Sequence, residues 1–262
     1  MYFDLALLAC VLSLLHVTLF FFMGHKRLEL VTNGFAILGF LFTIGQYVTL
    51  YKMPAPPYAS FSGILLLLTI ALFMGYFGMY FKYKRPSIGL FVFPLTVLFV
   101  LISRFSSNVE IAHEGVVVTT WLYIQLPFTI MGTAFFMLST FAGVMYFIQE
   151  RQLKQKKFGI IFHRFPPLDT INRLVNTTLY LGFYTFTIGL LAGFVWMIYS
   201  SGTINIFSAK LVFALITWII YSSITFYKQF RGMSPKDTAL STIIGFISVL
   251  ITYVGVAFFV MG

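Results

Sequence analysis

The chain has 262 residues, of which 60% are hydrophobic and only 9% charged, with 33 Phe and 15 Tyr. A water-soluble surface is about a quarter to a third charged, so no soluble fold can be built from this composition. The net charge of +10 would suggest nucleic acid in a soluble protein, but the basic residues sit in short gaps between apolar runs, where they act as topology signals.

The apolar runs exceed the ~18 residues needed to cross a hydrocarbon core and do not alternate with polar residues as barrel strands would. The fold class is therefore all-α: a polytopic transmembrane helical bundle in a single domain over 1–262, with lipid as its solvent. In chain order the spans are expected at about Phe3 to Met23, Leu28 to Tyr51, Ser60 to Phe81, Pro86 to Ser103, Trp121 to Ile148, Arg173 to Ser200, Ala209 to Lys228 and Ala239 to Met261. Span 1 starts without the Lys or Arg of a secretory leader and shows no small-residue cleavage site, so it is expected to be retained. Its one cysteine, Cys10, excludes an intrachain disulfide. His16 lies past the midplane of this span, and an intramembrane ionisable group is a functional candidate. Two readings stand side by side: a neutral imidazole bonded to a hydroxyl or carbonyl of a neighbouring helix, or a ligand to a bound porphyrin. Gln46, near the outer end of span 2, is too far along its helix to be the partner of His16.

The breaks carry helix-stopping chemistry. Pro54, Pro56 and Pro57 follow span 2, and Lys82, Lys84 and Arg85 precede Pro86. The segment from Arg104 to Thr120 holds Glu110, His113 and Glu114; His113 with Glu114 is the one ionisable pair of an outer loop, read either as solvated or as a contact to ligand or partner. The inner segment from Gln149 to Asn172 holds Arg151, Lys154, Lys156 and Lys157, which suit anionic lipid or a docked protein. In span 6, Gly189 and Gly193 form a Gly-x-x-x-Gly that permits close helix approach.

Of the 17 Lys and Arg, all but Lys52, Arg104 and Lys210 fall in the gaps after spans 1, 3, 5 and 7. The positive-inside rule then puts those gaps in the cytoplasm and both termini outside. No phosphate-cradling loop, no Cys or His cluster at metal-ligand spacing and no His-Glu-x-x-His occurs, and no Asp, Glu, Lys or Arg sits at mid-membrane. Catalytic residues, a metal site and ion-coupled transport are accordingly not expected.

From Trp121 onward the chain resembles the cytochrome c assembly family of membrane proteins, which includes CcsA and HemX types. The resemblance rests on Trp121-Leu122, the exit Gln149 to Lys154, Pro167-Leu168-Asp169 before Arg173, Gly182 with Gly189 to Trp196, Trp218 to Tyr221, Ile244-Gly245-Phe246, Thr252-Tyr253 and Gly255. That family holds haem on the outer face with a tryptophan-rich loop flanked by two histidines, where rings stack on the porphyrin and imidazoles close the axial positions. Here the loop reads Ser201 to Leu211, with Gly202 and Lys210 alone matching, and Gln125 and Phe226 stand at the histidine positions. The resemblance therefore implies a non-catalytic protein of the cytochrome c assembly and haem pathway, haem-binding or regulatory and of HemX-like type, with a degenerate haem-presenting loop. A structural subunit of a larger membrane complex is the alternative. The cofactor it implies is haem b, with His16 and His113 as the candidate ligands. Expected partners are the lipid bilayer and other membrane proteins, with no nucleic acid, and the expected location is the bacterial cytoplasmic membrane.

The charge count makes one prediction directly. A reporter fused after Gly262 is active outside the cytoplasm and one inserted at Lys156 is active inside; the reverse pattern overturns the orientation.

Overall fold

A computed structural model of the protein describes residues 2–50, 60–106, 119–156, 159–201 and 209–261. Among these the chain is helical with no strand, in the order α1 (Tyr2–Met23), α2 (Lys26–Thr49), α3 (Phe61–Tyr83), a short 3-10 turn (Pro86–Ile88), α4 (Gly89–Phe105), α5 (Thr119–Lys154), α6 (Ile160–Arg164), α7 (Leu168–Ser201), α8 (Ala209–Arg231) and α9 (Pro235–Met261). Seven of the described helices are long and apolar enough to cross a membrane. The eighth expected span lies within the 27-residue α9, whose side chains are described as far as Leu250.

Two boundaries move inward from the expected ones. The helix of span 5 runs through the basic exit to Lys154, and that of span 6 begins at Leu168, five residues before Arg173. Both shifts have an electrostatic cause. Arg151 and Lys154 close the last turn of α5, where the helix dipole favours cations, and Asp169 sits in the first turn of α7, where it favours anions. Between them the inner segment is not a plain loop, since Ile160–Arg164 forms a single short helix.

The chain packs as two compact units, Met1–Glu114 with Arg151–Pro167, and Gly115–Glu150 with Leu168–Gly262. The second unit coincides with the stretch over which the family resemblance is densest.

In the first unit, α1 buries a face of small residues, Ala6, Ala9, Cys10 and Ser13. Gly39 of α2 lies over Cys10, close enough that a Cβ there would touch its Sγ at 3.4 Å. Between α3 and α4 the contact is aromatic: the Phe93 ring meets Tyr76 at 4.8 Å and Phe73 at 6.3 Å between centroids. Polar atoms are paired across helices. Tyr76 donates to Asn33 Oδ1 at 2.8 Å, Tyr80 to Glu29 Oε1 at 2.9 Å, and the Ser62 and Ser103 hydroxyls bond at 2.7 Å. Buried Phe165, just past α6, packs its ring against Phe21 and Phe91, and Arg164 lies over the Phe20 ring. Gly24 has φ 74°, and the Arg164 guanidinium occupies the space that a Cβ would take.

In the second unit the centre is Phe136 stacked on Tyr221 at 3.5 Å, surrounded by Leu179, Phe183, Phe186 and Val249. Glycines set the approach of α5 and α7. A Cβ on Gly132 would stand 2.7 Å from Phe186 Cβ and 2.8 Å from its backbone N, and one on Gly182 would stand 2.6 Å from the Phe136 ring. Trp218 donates to Thr187 Oγ1 at 3.0 Å, and Thr140 donates to the carbonyl of Thr242 at 3.1 Å, tying α8 to α7 and α9 to α5. The turn into α9 is capped by Ser234, which accepts from the Asp237 N–H at 3.1 Å, after Gly232 at φ 71°.

Gly132 and Gly78 differ in what surrounds them, and this gives a matched test. Nothing lies within 4 Å of a Cβ on Gly78. Gly132→Ala is expected to cost about 1–3 kcal/mol by overpacking against α7. Gly78→Ala is expected to be neutral or stabilising by up to ~1 kcal/mol. The midpoints of unfolding in detergent check both, and equal midpoints would remove the close α5 to α7 approach.

Candidate functional site

His16 is half-buried on α1, with its ring 5.1 Å from the Phe35 ring of α2 and tilted by 36°. Its Nδ1 lies 2.8 Å from the carbonyl of Leu12. A carbonyl can only accept, so Nδ1 carries the proton and the lone pair of the neutral ring sits on Nε2. The partner is thus a carbonyl of its own helix one turn earlier, and not a group of a neighbouring helix as one reading of the sequence had it. Gln46 lies eleven residues beyond Phe35 on α2, about 16 Å along the axis.

His25 and His163 are exposed at helix ends, His25 at the N-cap of α2 with no side-chain capping bond. Among the described residues no group of three His, Cys, Asp or Glu could hold a metal ion. His113, with Glu110 and Glu114, lies outside the described residues, as do 202–208 of the outer loop, including Phe207.

In the second unit the structure describes both positions where the resemblance puts axial histidines. Gln125, near the start of α5, lies against Gly193 of α7, where a Cβ would meet its Nε2 at 2.7 Å. Phe226 of α8 packs edge-on against Phe183 of α7, with centroids 5.7 Å apart. Gly193 and Phe183 are ten residues apart on one helix, about 15 Å along its axis. Two groups that ligate one iron from opposite sides must bring their donor atoms within a few ångströms of each other. Gln125 and Phe226 neither carry imidazoles nor converge. The donor set of this unit does not fit a bis-histidine haem.

Gln125 instead lines a partly open cavity of about 110 Å³ between α5, α7 and α8, with Thr129, Phe186, Trp196, Leu211 and Ala214. Its Oε1 is buried and accepts no hydrogen bond among the described residues. Gly193, half of the Gly-x-x-x-Gly, is what lets this amide lie against α7, and Gly189 plays the same part for Thr129. Sequence reading took the two glycines as packing alone. The signal that could have joined them to Gln125 was the polar residue itself, at an outer helix end opposite a glycine.

The family described as "Cytochrome C assembly protein" matches residues 1–262, and the chain belongs to that family. The chain is similar to the cytochrome c biogenesis protein CcsA of Guillardia theta, 24% identical over 221 residues that cover 77% of this chain and 73% of that one. It is similar to CcsA of Gloeobacter violaceus, 33% identical over 104 residues covering 40% and 31%. It is similar also to protein HemX of Bacillus subtilis, 25% identical over 142 residues covering 54% and 51%.

The separation along α7 predicts the behaviour of a double variant. Gln125→His with Phe226→His is expected to bind hemin within roughly threefold of the wild type, a change of about 0.7 kcal/mol or less. A bis-imidazole spectrum created by the pair would show that the two positions meet.

Proposed function

We propose that this member of the cytochrome c assembly family is a non-catalytic membrane component of the haem pathway that serves cytochrome c assembly, acting on other membrane proteins and not by presenting haem at its own outer face. The carrying observation is Gln125. At a position where the family resemblance expects an axial imidazole stands an amide, held against Gly193 beside a small cavity. A neutral amide is a poor ligand for haem iron, and Phe226 offers no donor atom at all. The similarity to HemX over half the chain supports a regulatory part in that pathway, and the bacterial sources of HemX and of one CcsA support a bacterial cytoplasmic membrane.

His16 carries the reading that haem is nonetheless sensed. Its Nδ1–H bond to a carbonyl orients the ring and points the coordination to Nε2, the arrangement that metal-bound histidines use. In this reading His16 would be the residue that holds haem b within the membrane, and its role would be to bind and orient it.

Two measurements test the proposal. Hemin titrated into the detergent-purified protein should give a Soret shift of single-imidazole character that His16→Ala weakens at least tenfold, about 1.4 kcal/mol. A shift unchanged in that variant removes His16, and a bis-imidazole spectrum in the wild type removes the proposal. In mild-detergent native electrophoresis a free regulator migrates at its own mass plus micelle, whereas stable co-migration with other chains makes it a structural subunit of a larger complex.

A further inference from the structure

One end of the first unit is strongly basic. Lys and Arg number two in the gap after span 1, three in the gap after span 3 and five in residues 151–167, ten in all. The acids nearest to them in the chain are Glu29, in this unit, and Glu150 and Asp169, in the other. Three contacts bring these distant stretches together. Tyr80, four residues before Lys84, donates to Glu29 Oε1, two residues after Arg27. Arg164 lies over the Phe20 ring with its guanidinium beside Gly24, next to His25 and Lys26. Buried Phe165 packs against Phe21 and against Phe91, five residues after Pro86. Apolar side chains are interleaved with the cations: Phe22 is 67% exposed and Phe81 63%, and Ile160 of α6 is exposed as well. Lys84 Nζ stands 5.5 Å from the Phe81 ring centroid, and Lys82 Nζ 5.3 Å from that of Tyr83. A lysine stem that covers apolar surface while its ammonium stays wet belongs at the level where hydrocarbon meets headgroups.

We infer that this end of the first unit is a binding surface for anionic phospholipid, whose headgroup meets the cations while its acyl chains meet Phe22 and Phe81. The charge selects an anion, and the exposed rings select a lipid: a soluble acidic partner would answer the cations and leave the rings unmatched. The charge count assigns these gaps to the cytoplasmic side, where membranes present their anionic headgroups, and basic clusters just inside a span attract them. As topology signals alone, the three gaps would need only to lie on one side. Gathered by Glu29, Arg164 and Phe165, they present their charge to lipid in one place.

Fluorescence anisotropy of chain-labelled phosphatidylglycerol and phosphatidylcholine in non-ionic micelles, titrated with the full-length protein, tests the inference. In about 0.1 M NaCl phosphatidylglycerol should bind saturably and at least tenfold more tightly than phosphatidylcholine. About 1 M NaCl should bring the two within threefold, since the screening length shortens from about 10 Å to about 3 Å. Lys26→Gln with Lys84→Gln and Arg85→Gln should weaken phosphatidylglycerol binding at least tenfold. Arg173→Gln with Arg231→Gln and Lys236→Gln removes as much charge from the same expected side but from the second unit, and should leave that binding within threefold. Inorganic phosphate at matched ionic strength should displace no more lipid than chloride does. Equal affinity for the two lipids, which would leave the cluster to an acidic protein segment, overturns the inference. So does a preference that survives 1 M salt or the first triple variant, an equal loss in the two triple variants, or displacement by inorganic phosphate, which would make the site one for a free anion. Should the first triple variant fail to fold, the salt and phosphate measurements on the wild type still decide. No haem enters the measurement, so its failure is distinguishable from failure of the haem-pathway reading.

Discussion

Lipid tails offer neither donors nor acceptors, so every polar atom within a span must be satisfied by the protein itself. Most of the side-chain chemistry described above is a response to that constraint. Ser13, Thr32, Thr43, Thr69 and Thr178 return their hydroxyls to a carbonyl one turn earlier on the same helix. His16 does likewise with its Nδ1–H. Groups too long or too strongly polar for this solution are paired between helices, as Tyr80 is with Glu29 and Tyr76 with Asn33. Glu29, in the first turn of α2, also gains from the positive end of that helix. The Gln125 side-chain carbonyl follows neither course, and among the described residues the Ser87 and Thr225 hydroxyls share that position.

The two units meet the requirement for close contact in different ways. Lipid gives no hydrophobic drive between helices, so association depends on van der Waals fit and on hydrogen bonds. In the first unit large rings interdigitate between α3 and α4, and small residues let α1 and α2 approach. In the second, Gly132, Gly182, Gly189 and Gly193 bring backbones together, and Phe136 and Phe186 fill the notches that they leave. Substituting either set by the other would leave holes on one side and collisions on the other.

Much of this was legible in the sequence because the bilayer writes strong signals: long apolar runs, proline and charge at the breaks, and the lopsided distribution of Lys and Arg. The expected spans agree with the helices to within a few residues, and the exceptions, Lys154 and Leu168, fall where charge at a helix end extends it beyond the hydrocarbon region. Family membership was legible from dispersed pieces such as Trp218 to Tyr221. What the sequence could not supply was depth and facing. Whether Phe226 and Gln125 lie at the same level, which carbonyl His16 selects and whether Gln125 borders a cavity all depend on helix rotation and on long-range contacts, which no local pattern encodes. The glycine pair was read correctly as a contact, but its neighbour across the contact was not.

The glycines of α7 have a consequence for how the chain is assembled. Helices insert into a bilayer first and find one another afterwards, and α5 must wait for its partner while α6 and then α7 are synthesised. A surface of interlocked side chains would demand coordinated rotamer changes when α7 arrived. Gly182, Gly189 and Gly193 instead leave a row of notches about 16 Å long by helical rise, with Phe186 between them entering the notch at Gly132, and α5 seats where the Phe136 ring meets Gly182 and Gln125 meets Gly193. Register is thereby set by three contacts spread along the interface, Phe136 at Gly182, Phe186 at Gly132 and Gln125 at Gly193, so a shift of one helical turn would lose all three at once.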